Sequence, residues 1–261
     1  TETFMPTENI GPRDLVVRGD LRITSKNITL KMSGGQVFIG GDIIATKDLS
    51  IEGNEFQPVK DTSGVERNTS VYILGDVVSS ATIKFDKKVE NVYINGDLKS
   101  KNLYVEDGTN VYVKGNVIVN KIDKGSNRIF YGGTATKEDG AELSGPQKMD
   151  DPISALSAIQ IVKSENNQLV YHTMDNGTAL NVSPQNIWDL INTLTAERVY
   201  PKFSPSDKMT DLKPEKVTLS DGETAFVIDS QEEHKNYDGV IIEDIDFTEF
   251  KTSQGTGDSA L

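Results

Sequence analysis

The first half of the chain repeats a short pattern of apolar and polar positions. Each copy has an apolar residue, an aromatic residue or Val, a β-branched residue, a variable position, Gly, Asp or Asn, and an aliphatic residue. The copies occupy residues 15–21, 37–43, 71–77, 92–98 and 111–117, with a degenerate sixth copy at 129–133. Their glycines lie 22, 34, 21 and 19 residues apart. The one long step contains a polar stretch from Gly53 to Asn68, which we expect to be an inserted loop.

A second motif recurs in phase with the first. Residues 26–30, 47–51 and 101–105 each begin with Lys and Asn or Asp and continue with apolar residues at every second position, and residues 81–85 take the same place in the third copy. Alternating patterns of this length are typical of short strands with every second side chain inward. Two phased motifs therefore predict two or three strands in each period.

The repeat predicts a mainly β protein, namely a short parallel β-solenoid of about six coils over residues 14–145, right- or left-handed. Coils stacked about 4.8 Å apart would pair their backbone groups around a ladder of Val, Ile and Leu. Gly followed by Asp or Asn would turn the chain at each corner, because these residues tolerate left-handed conformations. The alternative is a β-sandwich, whose strands seldom repeat residue identities at a fixed period.

The second half differs in composition, and we expect an acidic α+β module at 146–250. We also expect an N-terminal segment at residues 1–13 and a disordered tail at 251–261. The predicted elements of the module are a helix from Asp151-Pro152, a hairpin of 168–174 with 178–182, a helix from Ser183-Pro184, a hairpin of 216–219 with 224–228, and a last strand over 240–245.

Charge limits the partners. The net charge is −13, and residues 146–261 carry −11 of it, with 9 Lys and Arg against 20 Asp and Glu. Nucleic acid is an improbable partner, because a binder needs clustered cations. The sequence has no apolar run of the roughly 20 residues that span a membrane. With no Cys, disulfide scaffolds and cysteine-ligated metals are excluded. We expect that any signal or membrane anchor has been removed.

Four aspartates, Asp20, Asp42, Asp76 and Asp97, occupy equivalent corners and would form a ladder along one edge of a solenoid. Carboxylates this close repel one another, and Ca²⁺ could relieve the repulsion. The alternative is that each Asp accepts backbone N–H bonds at its corner. Asn116 replaces the fifth Asp. Apart from Ca²⁺, we expect no cofactor.

Aromatic residues form the other candidate site. Phe38, Tyr72, Tyr93 and Tyr112 occupy equivalent positions, and Phe130 extends the series. They alternate with inward Val and Ile, so we expect them to face outward, where a sugar ring or a partner chain could stack on them. The alternative is simple packing between coils. No motif for a nucleophile, a phosphate loop or a dinucleotide fingerprint occurs, so we expect no catalytic residues.

The repeats at 92–98 and 111–117 resemble those of the bactofilin (polymer-forming cytoskeletal) family and the β-solenoid head of pilin-like surface proteins of Gram-positive bacteria. The second resemblance implies a non-catalytic structural or adhesive protein, pilus-associated or pilin-like, at the bacterial cell surface or extracellular. Its partners would be proteins or glycans, or other copies through the solenoid ends. The first resemblance implies a cytoplasmic polymer subunit. A carbohydrate-binding or carbohydrate-cleaving solenoid, such as a polysaccharide lyase or hydrolase, is a further alternative.

Overall fold

The computed structural model describes residues 1–4, 14–17, 19–32, 34–53, 59–61, 66–155, 160–165, 168–173, 217–218, 224–225, 227–228, 239–242 and 245–246. These residues are mainly in strands, with two short 3-10 helices, Ser126–Arg128 and Pro152–Ala155. The strands are β1 (Glu2–Phe4), β2 (Asp14–Val17), β3 (Leu21–Ile23), β4 (Ile28–Lys31), β5 (Val37–Ile39), β6 (Ile43–Ala45), β7 (Leu49–Glu52), β8 (Val59–Asp61), β9 (Glu66–Arg67), β10 (Thr69–Ile73), β11 (Val77–Phe85), β12 (Val89–Ile94), β13 (Leu98–Val105), β14 (Asn110–Val113), β15 (Val117–Lys124), β16 (Ile129–Tyr131), β17 (Ala135–Thr136), β18 (Gln147–Lys148), β19 (Gln160–Glu165), β20 (Gln168–Thr173), β21 (Val217–Thr218), β22 (Thr224–Ala225), β23 (Val227–Ile228), β24 (Gly239–Ile242) and β25 (Ile245–Asp246).

The solenoid predicted from the repeat is present. Six coils stack in parallel, and each contributes one strand to a first sheet and one or two strands to a second. In the first sheet, β16, β14, β12, β10, β5 and β2 are neighbours in that order. In the second sheet, β17, β15, β13 and β11 are neighbours, and β11 then pairs with both strands of coil 2, β6 and β7, which pair in turn with β3 and β4.

The coils stack so that equivalent positions of the sequence repeat lie opposite one another. Tyr72 lies opposite Phe38 on one side and Tyr93 on the other, with Val71 opposite Val37 and Val92. The residues on either side of the aromatic row, such as Val37 and Ile39, belong to one continuous buried core that runs through all six coils. Alternation along each strand therefore places one side chain in the core and the next on the outer face.

The long step in the repeat is not a plain loop in its described residues. It contains β8 and β9, which pair antiparallel, and β8 pairs in parallel with β20 from the second half of the chain. The insertion and the second half thus share one small sheet. The expectation of a plain loop was wrong because a polar sequence with Pro does not exclude short strands that pair with a distant segment.

The second half agrees only in part with the expected elements. The start at Asp151-Pro152 gives one 3-10 turn in the described residues. Strand β20 pairs antiparallel with β19 across a two-residue connection. The hairpin of β21 and β22 is confirmed. Residues 178–182, the helix from Ser183 and the tail lie outside the described residues.

The last predicted strand belongs to the solenoid. Strand β24 pairs in parallel with β2, and β25 pairs in parallel with β3. The N-terminal strand β1 pairs in parallel with β4. Together β24, β25 and β1 form an additional rung against coil 1, which we call the closing rung. Strand β23 pairs antiparallel with β24 on its other side.

The opposite end of the solenoid is covered by the chain that follows it directly. Strand β18 pairs with β16 of coil 6. The Lys148 ammonium donates to the carbonyl oxygens of Gly132 and Gly133. In earlier coils, the carbonyl equivalent to that of Gly133 accepts the Gly N–H of the next coil. Pro152 lies against Gly132. The residues described contain no helix with the length and apolarity needed to cross a bilayer.

Candidate functional site

The corner aspartates form a ladder of hydrogen bonds between coils. Asp42 N–H donates to Asp20 Oδ1 at 2.9 Å, Asp76 N–H to Asp42 Oδ1 at 2.7 Å, and Asp97 N–H to Asp76 Oδ1 at 2.8 Å. Asn116 continues the series by donating its N–H to Asp97 Oδ1 at 2.7 Å. Each carboxylate therefore accepts a backbone N–H from the equivalent residue of the next coil.

The glycine before each corner Asp is required because the Asp carboxylate of the preceding coil lies where its side chain would be. A Cβ on Gly96 would lie 1.9 Å from Asp76 Oδ1 and 2.7 Å from the Gly75 carbonyl oxygen. A Cβ on Gly75 would lie 2.0 Å from Asp42 Oδ1. Neither glycine has a positive φ, unlike Gly108 and Gly125. The expected reason, tolerance of a left-handed conformation, was therefore wrong: the absent side chain makes room for the preceding carboxylate.

The calcium hypothesis keeps the same four aspartates but gains no site from this geometry. One oxygen of each is already engaged by a backbone N–H, and Asp20 also pairs with Arg22. At the last step Asn116 Nδ2 donates to both oxygens of Asp97, at 3.2 and 3.3 Å. Among the residues that the structure describes, no three His, Cys, Asp or Glu side chains converge as metal ligands. Calcium binding stays a prediction.

The aromatic residues form a continuous stack on the outer side of the first sheet. The ring centroids of successive pairs lie 4.8, 5.4, 5.2 and 5.1 Å apart, and the interplanar angles are 10–16°, along the series Phe38, Tyr72, Tyr93, Tyr112 and Phe130. Offset stacking at this distance is favourable by about 0.5–1.5 kcal/mol per pair beyond area burial. The row therefore contributes to the register of the coils.

Exposure limits what this row can bind. Phe38 is 0% exposed, Tyr72 3% and Tyr93 7%, whereas Tyr112 and Phe130 are half-buried. Burial raises the pKa of the Tyr72 and Tyr93 hydroxyls above the ordinary range, and more weakly that of Tyr112. In this arrangement a ligand could reach only the coil 5 and coil 6 end of the row. The ligand surface stays a prediction.

A charged cluster on the second sheet was not foreseen. Tyr104 lies between two cations, with Lys84 Nζ 4.7 Å and Lys124 Nζ 5.7 Å from its ring centroid. Its hydroxyl donates to Glu106 Oε2 at 2.6 Å. Lys124 also binds Glu106, and Lys84 binds Asp86. The cluster links three coils through cation–π contacts and ion pairs.

The cluster shifts the pKa of its members. Hydrogen bonds from Lys124, from the Tyr104 hydroxyl and from the backbone lower the pKa of Glu106 from 4.5 to about 2. The same contact with Glu106, with help from Asp107, raises the pKa of Lys124. The bond to Asp86 raises the pKa of Lys84. At neutral pH the charges of this cluster are therefore compensated within it.

A cavity of about 260 Å³ lies beside this cluster, over coils 1 to 3. Its floor includes Ser50, whose hydroxyl is buried and has no hydrogen-bond partner. Its lining supplies carboxylates, hydroxyls, an amide and an ammonium group, from Thr1, Asn27, Ile28, Thr29, Asp48, Leu49, Ser50, Glu52, Thr82 and Lys84. A buried polar atom without a partner is costly, so a hydrogen-bonding ligand would be favoured here.

Comparison with protein-family models, with curated proteins and with solved structures finds no match.

The repeat does not predict the cluster or the cavity, because their residues occupy the outward positions of the second motif, which do not share one residue type from coil to coil. The available signal was one of these outward positions, which holds Thr29, Ser50, Lys84 and Tyr104 in successive coils. Where this column changes from the short side chains of Thr29 and Ser50 to the long side chain of Lys84, space is left over the short side chains. Reading the outward column coil by coil would have located the cavity.

Proposed function

We propose that the chain is a non-catalytic structural and adhesive module of the bacterial cell surface, in which a closed solenoid presents side chains at fixed spacing on its two sheets. A pilin-like head is the form of this proposal that agrees with the repeat. The observation that carries it is that strands from outside the repeat pair with coil 1 and with coil 6. Open sheet edges invite polymerisation, whereas covered edges favour a discrete particle.

The end at coil 6 supports this proposal most directly. A further coil would have to donate its N–H to the Gly133 carbonyl, as Gly133 itself donates to Gly115 at 2.8 Å. Lys148 already binds that carbonyl. Thr134 takes the place of the corner Asp, and its hydroxyl donates to Asn116 Oδ1 at 2.9 Å. The corner ladder thus ends without a carboxylate to receive a seventh coil.

The test of the structural proposal uses the full chain. Electron microscopy and sedimentation over a wide concentration range should show discrete particles and no filaments. Filaments assembled without nucleotide would overturn it in favour of a cytoskeletal polymer.

Its location is tested on cells of the source organism with antibodies to this chain. Labelling of intact cells is the expected result, and permeabilised cells serve as the control for total protein. Labelling that requires permeabilisation would contradict a surface module.

A second candidate, carbohydrate binding, is favoured by the cavity at Ser50. Carboxylates and an ammonium group around a buried hydroxyl suit the paired donors and acceptors of sugar hydroxyls. A screen of glycans for binding and cleavage should find binding that is weakened at least tenfold by Glu52→Gln. The matched control is Glu142→Gln, since Glu142 is exposed and lies outside the cavity. Equal binding by both variants would reject the cavity, and turnover would instead indicate an enzyme.

A further inference from the structure

The closing rung is the one rung in the stack that the chain does not build in sequence order. Its first strand, β24, and its second, β25, come from residues 239–246, and its third strand, β1, comes from residues 2–4. Coils 1 to 6 follow one another directly in sequence, apart from one insertion. The closing rung does not, because β25 lies at residues 245–246 whereas coil 1 begins with β2 at residue 14.

Residues 239–246 nevertheless fit coil 1 by register. Val240, Ile241 and Ile242 lie opposite Leu15, Val16 and Val17. Leu15 and Val17 belong to the buried core, and Val240 and Ile242 are the apolar residues at the matching register positions. Ile245 likewise lies opposite Leu21. Between Ile242 and Ile245, where the repeat has its corner Gly, the sequence has Glu243-Asp244 instead. That difference has a physical reason, because a terminal rung has no earlier Asp carboxylate to accommodate.

Residues 239–246 are joined to coil 1 by fewer register pairs than coil 2 is. In the described residues, two pairs join β25 to β3 and four join β24 to β2. On the other side of coil 1, three pairs join β5 to β2, three join β6 to β3 and four join β7 to β4. Elements with few backbone pairs open locally at lower free energy than the interior of a fold. We therefore expect residues 239–246 to detach from coil 1 more readily than coil 2 does.

We propose that the segment of β23, β24 and β25, residues 227–246, is an exchangeable strand, and that the edge of coil 1 which it covers accepts the same segment from a second copy of this chain. The result is a reciprocal dimer in which each solenoid is closed by its partner. Release exposes the edge strands β2 and β3, and such edges template the pairing of another strand. This inference does not depend on the proposed function.

Two further observations favour a second copy as the occupant. The same segment from a second copy can pair in the same register, with Val240 opposite Leu15, so no new interface has to form. For this reason the exchange of an identical element is a low-cost route to dimers. More than 50 residues of chain separate Thr173 at the end of β20 from Val227. A connection of that length lets the segment reach a neighbouring molecule.

The absence of Cys makes a clean cross-linking test possible. Val16 and Ile241 are register partners, and paired strands about 4.8 Å apart lie within the range that a disulfide spans. We expect Val16→Cys with Ile241→Cys to oxidise within one chain at low concentration. After incubation at high concentration and a temperature just below unfolding, we expect covalent dimers to form.

The matched control is Val16→Cys with Phe38→Cys, because Phe38 is the register partner of Val16 on its other side. This pair lies within contiguous coils and should oxidise within one chain under every condition. Dimers from the first pair alone support exchange. Internal cross-links alone from both pairs would overturn it, and failure of the first pair to cross-link at all would show that residues 239–246 do not lie on coil 1.

A second measurement needs no substitution in the buried row. Unlabelled and ¹⁵N-labelled full chains are mixed, warmed together at high concentration, cooled and examined by native mass spectrometry. The expected product is a dimer of mixed mass that persists on dilution. A mixture that contains only monomers after this treatment would contradict the proposal, and filaments would contradict the proposed function while leaving the exchange to be decided by the cross-links.

Discussion

The interior coils and the two ends of this solenoid are held by different means. Between interior coils, the Asp of each Gly–Asp corner provides the next coil with an acceptor for its N–H, and the Gly leaves space for the Asp carboxylate of the preceding coil. At the coil 6 end, Lys148 replaces the next coil with an ammonium group on two carbonyls. At the coil 1 end, strands from both chain termini form the last rung. A repeat therefore specifies stacking, while its closure requires sequence from outside the repeat.

The largest effect is expected from Gly96→Ala in the interior. Its Cβ would meet both the Asp76 carboxylate and the Gly75 carbonyl. Because part of that obstacle is backbone, we expect a loss of about 3 kcal/mol in the free energy of unfolding. Urea unfolding followed by circular dichroism measures it. Adding Asp76→Ala should restore only part of the loss, and an unchanged midpoint for Gly96→Ala alone would refute the steric role of the corner.

The next effect tests the acceptor at the same corner. Asp76→Ala leaves the Asp97 N–H without its bond of 2.8 Å, which should cost about 1–3 kcal/mol. Asp76→Asn keeps an oxygen in place and serves as the control, with a smaller loss. If the two variants were equally destabilised, the carboxylate charge rather than the acceptor would be the important feature.

A smaller effect is expected at the coil 6 end from Lys148→Met. The carbonyls of Gly132 and Gly133 would then rely on water, which at an exposed end costs about 1 kcal/mol or less. Hydrogen exchange should increase in β16 and β17 and remain unchanged in β11 and β12. An equal increase throughout the stack would remove the distinction between end and interior. Lys137→Met, which changes an exposed Lys of the same end, is the matched control.

The smallest effect concerns acid. The pKa of Glu106 falls from 4.5 to about 2 in the folded protein, so its ionised form is favoured by folding. Its contribution is complete above pH 4.5 and is lost as the pH falls towards 2. The urea midpoint of the protein should therefore fall across that window more than that of Glu106→Gln. Parallel curves for the two proteins would show that the cluster around Tyr104 does not stabilise the interior.

The repeat predicted the solenoid because parallel stacking places equivalent positions opposite one another, and each inward Val, Ile or Leu must meet its equivalent. For the same reason the aromatic row was correctly aligned from Phe38 to Phe130. The burial of Phe38 could not be predicted, since alternation gives the face of a residue and not what covers that face. The role of the corner glycines also depends on a neighbouring coil, which local conformational preferences do not report.

The closing rung shows a further limit of reading a sequence in order. Val240-Ile241-Ile242 followed by Ile245 has the apolar pattern of a coil, and it was predicted as a strand. More than 90 residues separate it from the last copy of the repeat, and it lacks the Gly that defines the others. A search for the period alone therefore assigned it to a separate module. A search for the apolar pattern without Gly would have connected it to the solenoid.

The aromatic row has an optical consequence. Tyr72, Tyr93 and Tyr112 hold their rings nearly parallel at centroid distances of 5.4 and 5.2 Å, so their electronic transitions couple. We expect this coupling to transfer excitation along the column, which depolarises the tyrosine emission and adds an exciton contribution to the near-ultraviolet circular dichroism. The folded stack thus carries an intrinsic chromophore array whose signal reports the alignment of the coils without any added label.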